Sequence, residues 1–341
     1  MEDAFLFQPP FCPIVGCPSE YEEVPFRYHR HGRYRRDCDG AWIQRFRCLA
    51  CERAFSTQTF KSNYRYRIPF LHHLLTQTLC SKVTRRQAAR VFSVNRKSVE
   101  RRFVRMAEVS ADFHRKQLLQ CRERGGTRGV FQLDELETFE HNRKLKPVTM
   151  SVLIERKSYF VVHTRAGTLP ARRPLKPKEA ERHAEIQAIE GARRSQSRTC
   201  IQQSFEALDQ LLAPDSAVVF QSDMKRTYPT ECRRAIWGRP FFHKTTSSRK
   251  RRDYRNLLFP INHTLAMMRD GMSCLVRRSW AACKSIRGLE QHAAIWTAYR
   301  NYVRGVTIKT KTTPAQAARV SARRWSLKEV LRWRWPSRMS T

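Results

Sequence analysis

Apolar positions recur at helical spacing in three successive blocks, residues 70–79, 83–92 and 99–106, and this spacing predicts three helices. Thr84 stands where the second helix needs an N-cap, and Gln87, three residues on, closes a capping box. Ser93-Val94-Asn95 is a short polar turn holding one apolar residue, and Ala88 and Ala89 are small enough for the next helix to cross closely. That is the pattern of a helix-turn-helix. After Gly125-Gly126 the pattern changes to short apolar runs. Residues 129–139, 148–155 and 158–164, with a turn at Arg156-Lys157, fit a three-stranded antiparallel meander. Helices at 179–193 and 200–212 follow, then a strand over 216–223 and a short one over 241–243. Further on, Ile286, Leu289, Ala293, Trp296, Tyr299 and Val303 form the apolar stripe of another helix.

Two of these strands run into acids, the first into Asp134 and the fourth into Asp223. A meander followed by helix and strand predicts an α/β domain in which both strand ends share one edge of the sheet. Around the first strand end the chain gathers Asp134, Glu135, Glu137 and Glu140 within seven positions. Adjacent carboxylates repel, and a divalent cation removes that cost. Oxygen ligands select Mg²⁺ or Mn²⁺, which can clamp the attacking and leaving oxygens of a phosphodiester.

Charge makes the partner of such a site a polyanion. The 341 residues carry 66 Lys+Arg against 30 Asp+Glu, a formal net charge of +36 and a pI near 10.7, and nucleic acid is the expected partner. With 41% hydrophobic residues the chain can bury a sizeable core. There is no apolar run of membrane-spanning length, and the first residues lack the basic start and apolar stretch of a leader, so a cytoplasmic protein with no membrane partner is expected. Most of the eleven cysteines are scattered singly, which suits a reducing compartment.

Four are grouped: Cys12 with Cys17, and Cys48 with Cys51. Two close pairs on two turns are what a tetrahedral structural Zn²⁺ site needs, each turn offering two thiolates. Four reduced structural cysteines are the alternative, and Cys38, His29 and His31 between the pairs are substitute ligands. The intervening Tyr28, Arg30, Arg33, Arg35, Arg36, Arg45, Phe46 and Arg47 make a cationic, aromatic surface fit for phosphates and bases. In the helix-turn-helix, Arg96, Lys97, Ser98, Arg101 and Arg102 are expected on the outward face of the second helix, within reach of base edges and phosphates.

A third acid for the metal site is sought by scarcity. Between Asp270 and Glu329 the single acid is Glu290, bordering the apolar stripe. It can project towards the aspartates or face solvent beside Arg287; Asp270 is the other candidate.

The order of these parts resembles the DDE-type transposases of bacterial insertion sequences, and within them the group of insertion sequence one. The resemblance is carried by the cysteine pairs with "RFRCLACERAFS", by "TRRQAARVFSVNRKSVERRF", by "FQLDELETF" and "VVFQSDMKRTY", and by the block from Asn262 to Glu290-Gln291-His292. It implies an RNase H-like α/β catalytic domain preceded by a zinc ribbon and a helix-turn-helix domain. Asp134, Asp223 and Glu290 would then bind Mg²⁺, or Mn²⁺, for cleavage and strand transfer at transposon ends, with Glu135 an accessory acid. The expected partners are double-stranded DNA and further copies of the chain in a homo-oligomer on that DNA; the expected location is the bacterial nucleoid. The expected domains are a zinc ribbon over 1–62, a helix-turn-helix over 63–124, a catalytic domain over 125–305 with a basic insertion near 166–198, and a basic C-terminal helix and tail over 306–341. Two other classes fit the same features: a DNA-binding regulator that has lost catalysis, and an RNase H-like nuclease that joins nothing.

Overall fold

The computed structural model describes residues 7–21, 24–247, 249–251, 253–276 and 281–332. The expected C-terminal tail from residue 333 lies outside the described residues. The chain divides into two compact units, one running to Leu75 and taking in the segment from Lys328, the other Thr76–Leu327.

In the first unit, β1 (Tyr28–Arg35), β2 (Trp42–Cys48) and β3 (Ala54–Ser56) form an antiparallel sheet in that order. Its core is aromatic. Phe46 pairs in register with Phe55, their rings stack at 5.6 Å, and Phe60 closes on Phe55 edge-on. So small a core gains from cross-linking by a metal. From Cys48 the chain turns back into β3, and Ser62 N–H later donates to Arg332 O at 3.1 Å, tying the segment after Lys328 to this unit.

The second unit holds α2 (Arg85–Val91), α3 (Arg96–Glu123) and a five-stranded mixed sheet; α1 (Leu71–Leu79) crosses the boundary between the units. Thr84 caps α2 and closes the capping box with Gln87. Asn95 caps α3 by accepting from Lys97 N–H at 2.8 Å. The helix expected over 99–106 runs instead for 28 residues, because buried Val109, Gln117 and Cys121 continue the stripe of Val99, Phe103 and Met106. Its length packs it against the later helix α8 (Ile286–Ala298), so α2 and α3 share a compact unit with the sheet.

The sheet comprises β4 (Val130–Phe139), β5 (Pro147–Glu155), β6 (Val161–Thr168), β7 (Val218–Ser222) and β8 (Phe241–Thr245), in the order β6-β5-β4-β7-β8. The first three form the expected antiparallel meander; β7 and β8 run parallel to β4. Every residue of β5 is buried, which explains its unbroken apolar run. Helix α5 (Ser197–Leu211) covers one face over β5 and β6, followed by α6 (Thr227–Ala235); α7 (Phe259–Gly271) covers the other over β4 and β5. Helix α8 (Ile286–Ala298) lies along β6. The expected insertion carries an exposed helix, α4 (Pro177–Glu190), with no buried residue.

Candidate metal centres and nucleic-acid-binding surface

The turn from β2 to β3 brings Cys48 and Cys51 against Cys12 and Cys17. All four Sγ atoms lie within 4.8 Å of one another, with Cys12 to Cys51 and Cys17 to Cys48 each at 3.7 Å. A tetrahedron of thiolates around Zn²⁺ at about 2.3 Å has an edge of about 3.8 Å, so the four cysteines fit that ion. Burial pushes the Cys12 and Cys51 thiols up; at Cys17 burial is outweighed by the Ser19 hydroxyl and N–H, which bring the thiol down to about 7. Cys38 is exposed and lies apart from this group. Seven of the eight residues of β1, His29 to Arg35, are exposed, so its histidines and arginines face solvent.

On the sheet, a tetrad F-Q-x-D occurs twice, at residues 131–134 and 220–223. The two copies fall on neighbouring parallel strands in register, with Phe131 opposite Phe220 and Gln132 opposite Gln221. Gln132 Nε2 donates to Gln221 Oε1 at 2.9 Å. Since side chains two residues apart share a face, Asp134 and Asp223 follow this pair on one face. Asp134 stands in the middle of β4 rather than at the expected strand end, because β4 goes on pairing with β5 as far as Phe139; Asp223 lies just past the end of β7. Both line one cleft of about 640 Å³ with Glu135, Glu137, Ser197, Arg198, Lys225 and Tyr228. The repeated tetrad is the sequence signal that pattern reading passed over.

The other acids of the cluster have different neighbours. Glu135 points to the opposite face, where it is ion-paired with Lys225 and accepts from Ser197 Oγ at 2.6 Å and Thr149 Oγ1 at 2.8 Å. Glu137 pairs with Arg172, and Glu140 with Arg193 at 2.9 Å while also accepting from Ile286 N–H at 2.9 Å. Much of the acidic run thus fastens the insertion and α8 to the sheet, aided by Lys144 to Glu179 at 2.8 Å and Lys146 to Glu190 at 2.7 Å. Glu135, expected as an accessory acid, is thus tied to Lys225, which also lines the cleft. Burial, then the charges of Glu135, Asp134 and Asp223, holds the Tyr228 phenol protonated.

Glu290 does not meet the aspartates. Its carboxylate accepts from Ala166 N–H at 3.2 Å and lies 3.3 Å from Arg165 Nε, both on the edge strand β6. Two strand spacings, about 10 Å, separate β6 from β4. Asp270 is exposed at the end of α7, 3.8 Å from Lys82, and does not line the cleft of the aspartates. Among the described residues the four cysteines are the only group of three or more potential ligands drawn together.

In α3, Arg96, Lys97 and Arg101 are exposed and Ser98 is half-buried. Arg102, expected on the outward face, is buried instead: three residues after buried Val99, it sits on the inward stripe of the helix. Arg96 lies 3.7 Å from Glu100, which also binds Arg85 at 3.0 Å. Lys82, Arg85, Arg86, Arg90, Arg96 and Lys284 line a cleft of about 760 Å³, a cationic surface fit for phosphates. No helix among the described residues is long and apolar enough to cross a membrane.

No protein-family model and no curated protein matches the chain. Among solved structures it is similar to the Mos1 strand transfer complex, at 13% identity and a TM-score of 0.27, over 66% of this chain and 73% of that one. It is also similar to the Mos1 transposase catalytic domain with raltegravir and Mg, at 12% identity and a TM-score of 0.23, over 57% and 88%. A third is the Mos1 mariner paired end complex with Mn, at 12% and 0.22, over 63% and 70%. Likenesses this slight carry nothing further about the chain.

Proposed function

We propose that this chain is a transposase-type enzyme that binds double-stranded DNA at transposon ends and cleaves and joins its strands at Asp134 and Asp223. What carries this reading is the pair of F-Q-x-D tetrads in register on adjacent parallel strands, which sets two aspartates level on one face in a protein of net charge +36. The strand order, with an antiparallel meander flanked by two parallel strands, is the one an RNase H-like domain calls for. The order of cysteine pairs, short helices and acidic strand ends supports the resemblance to the insertion sequence one group.

Asp134 and Asp223 offer hard oxygen donors that fit Mg²⁺ or Mn²⁺. When bound, such an ion polarises the phosphodiester and offsets the repulsion between phosphate and carboxylates. The chain's own residues do the rest. Lys225, held by Glu135 and 2.9 Å from Ser197 Oγ, keeps a cation in the cleft for a phosphate oxygen. Exposed arginines of β1 and α3 bind the duplex. In the first step a water oxygen bonds to phosphorus as the P–O3′ bond breaks, leaving a 3′-hydroxyl. In the second that hydroxyl attacks a target phosphodiester, so one P–O bond replaces another and no protein adduct forms. Pairing two ends calls for a homo-oligomer on DNA. A Zn²⁺ held by Cys12, Cys17, Cys48 and Cys51 would brace the first unit.

A second reading, a regulator that binds ends without cutting, is favoured by one observation: Glu290 is engaged by Ala166 and Arg165 on β6. For Glu290 to serve as the third metal ligand, Ala166 and Arg165 of β6 have to release it. Incubation with the DNA flanking the chain's own gene, with and without Mg²⁺, separates the readings on a denaturing gel. Nicked and joined products in Mg²⁺ alone support the enzyme; retarded but uncut DNA supports the regulator.

A further inference from the structure

The sheet face that carries the two aspartates is left open at its last strand. Phe220 of β7 stacks on His243 of β8 at 4.9 Å and meets Phe205 of α5 at 5.1 Å, so Phe241 and His243 point to the α5 side. Phe242 and Lys244 therefore point to the other side. On that side Gln132 donates to Leu257 O at 2.8 Å and accepts from Ile261 N–H at 3.1 Å, which seats the start of α7 over β4 and β5 but not over β8. Phe242 stands opposite Val219, and Lys244 opposite Gln221, two positions before the level of Asp223. Phe242 is 61% exposed, where a β-strand phenylalanine would ordinarily be covered by a helix. Lys244 is exposed beside it, about 7 Å along the strand.

We infer that Phe242 and Lys244 form a seat for one unpaired nucleotide of the DNA strand held at Asp134 and Asp223, the ring stacking on a base and the ammonium meeting its phosphate. An exposed aromatic ring next to a cation, on a face otherwise committed to phosphate chemistry, is the combination that grips single-stranded nucleic acid. Charge complementarity favours this occupant: Arg249, Lys250, Arg251 and Arg255, all exposed or half-buried, follow β8 in the chain. Stacking on a ring takes any base, so the seat selects an unstacked base over a paired one rather than one base over another. Its use is to hold a frayed end open beside the aspartates.

This rests on the proposed DNA-cleaving function, and the test separates the two. Affinity is measured without divalent ions, for a blunt duplex of the end sequence and for the same duplex with a short single-stranded extension bearing 2-aminopurine. Wild-type protein should prefer the extended DNA and quench the 2-aminopurine. Phe242→Ala should lose about tenfold on the extended DNA with the blunt duplex unchanged, Phe242→Trp should keep the preference, and Lys244→Ala should lower the salt dependence on the extended DNA. Equal affinities of wild type and Phe242→Ala for the extended DNA, or equal losses on both DNAs, would overturn the seat and leave the functional reading standing. Failure of wild-type protein to bind either DNA would overturn both.

Discussion

Gln132 and Gln221 join their side chains across neighbouring parallel strands, Nε2 to Oε1 at 2.9 Å, two residues before Asp134 and Asp223. Gln132 is fully buried and uses its amide three ways, on Gln221, Leu257 O and Ile261 N–H. The pair therefore ties together the register of β4 and β7 and the start of the helix that packs on β4 and β5.

Replacing Gln132 by Leu should leave Ile261 N–H and Leu257 O without this partner and cost about 1 to 3 kcal/mol. Urea unfolding reads this directly. Cleavage of end DNA should fall further than stability does, because the two aspartates lose their common register; a variant of unchanged stability and activity would remove the pair's role.

The cysteine cluster predicts about one Zn²⁺ per chain in protein purified without chelator. Cys48→Ala should release the metal and expose the amides of β1 to β3 to hydrogen exchange, with β4 to β8 unaffected, since structural zinc contributes folding free energy locally. Metal analysis finding none would leave four reduced cysteines.

Arg101→Ala should reduce discrimination between end DNA and random DNA by roughly 1 to 3 kcal/mol if α3 reads base edges. Neutralising Arg30, Arg33 and Arg35 on β1 should weaken both DNAs alike and flatten the salt dependence. Equal losses on both DNAs in the Arg101 variant would move recognition elsewhere.

Burial lowers His114, His163 and His292 each to about 4. These histidines are neutral in the folded protein, whereas the unfolded chain takes up protons below about 6.5. Stability should therefore be full above that pH and be lost as the pH falls from about 6.5 towards 4. His292 donates to or accepts from Cys274 Sγ at 3.4 Å and meets Leu79 O at 3.0 Å. A His292→Gln variant that flattens the acid limb of the thermal-unfolding profile would match; an unaltered limb would contradict it.

Local chemistry was legible in the sequence where neighbours in the chain are neighbours in space. Thr84 and Gln87 make their capping box, and Cys48 and Cys51 share one turn. What could not be read depends on distant partners. Glu290 borders its apolar stripe as expected, yet the edge strand, through Ala166 and Arg165, claims its carboxylate. Arg102 lies in a run of arginines and is buried only because α3 packs along its whole length. The acidic run looked like one metal site because nothing local announces that Arg172, Arg193 and Lys225 would each take one of its acids.

The central claim is that Asp134 and Asp223 together perform the strand chemistry, and the most direct measurement is Mg²⁺-dependent cleavage of end DNA by Asp134→Ala and Asp223→Ala beside wild type and Glu290→Gln. Each aspartate variant should lose cleavage while binding the DNA at least as tightly, because a metal ligand is gone and repulsion of the phosphates is lessened. Loss in Glu290→Gln as well would mean that β6 releases the glutamate in the DNA complex; retained activity would leave it on β6. Wild-type cleavage that persists in Asp134→Ala or Asp223→Ala would contradict the account.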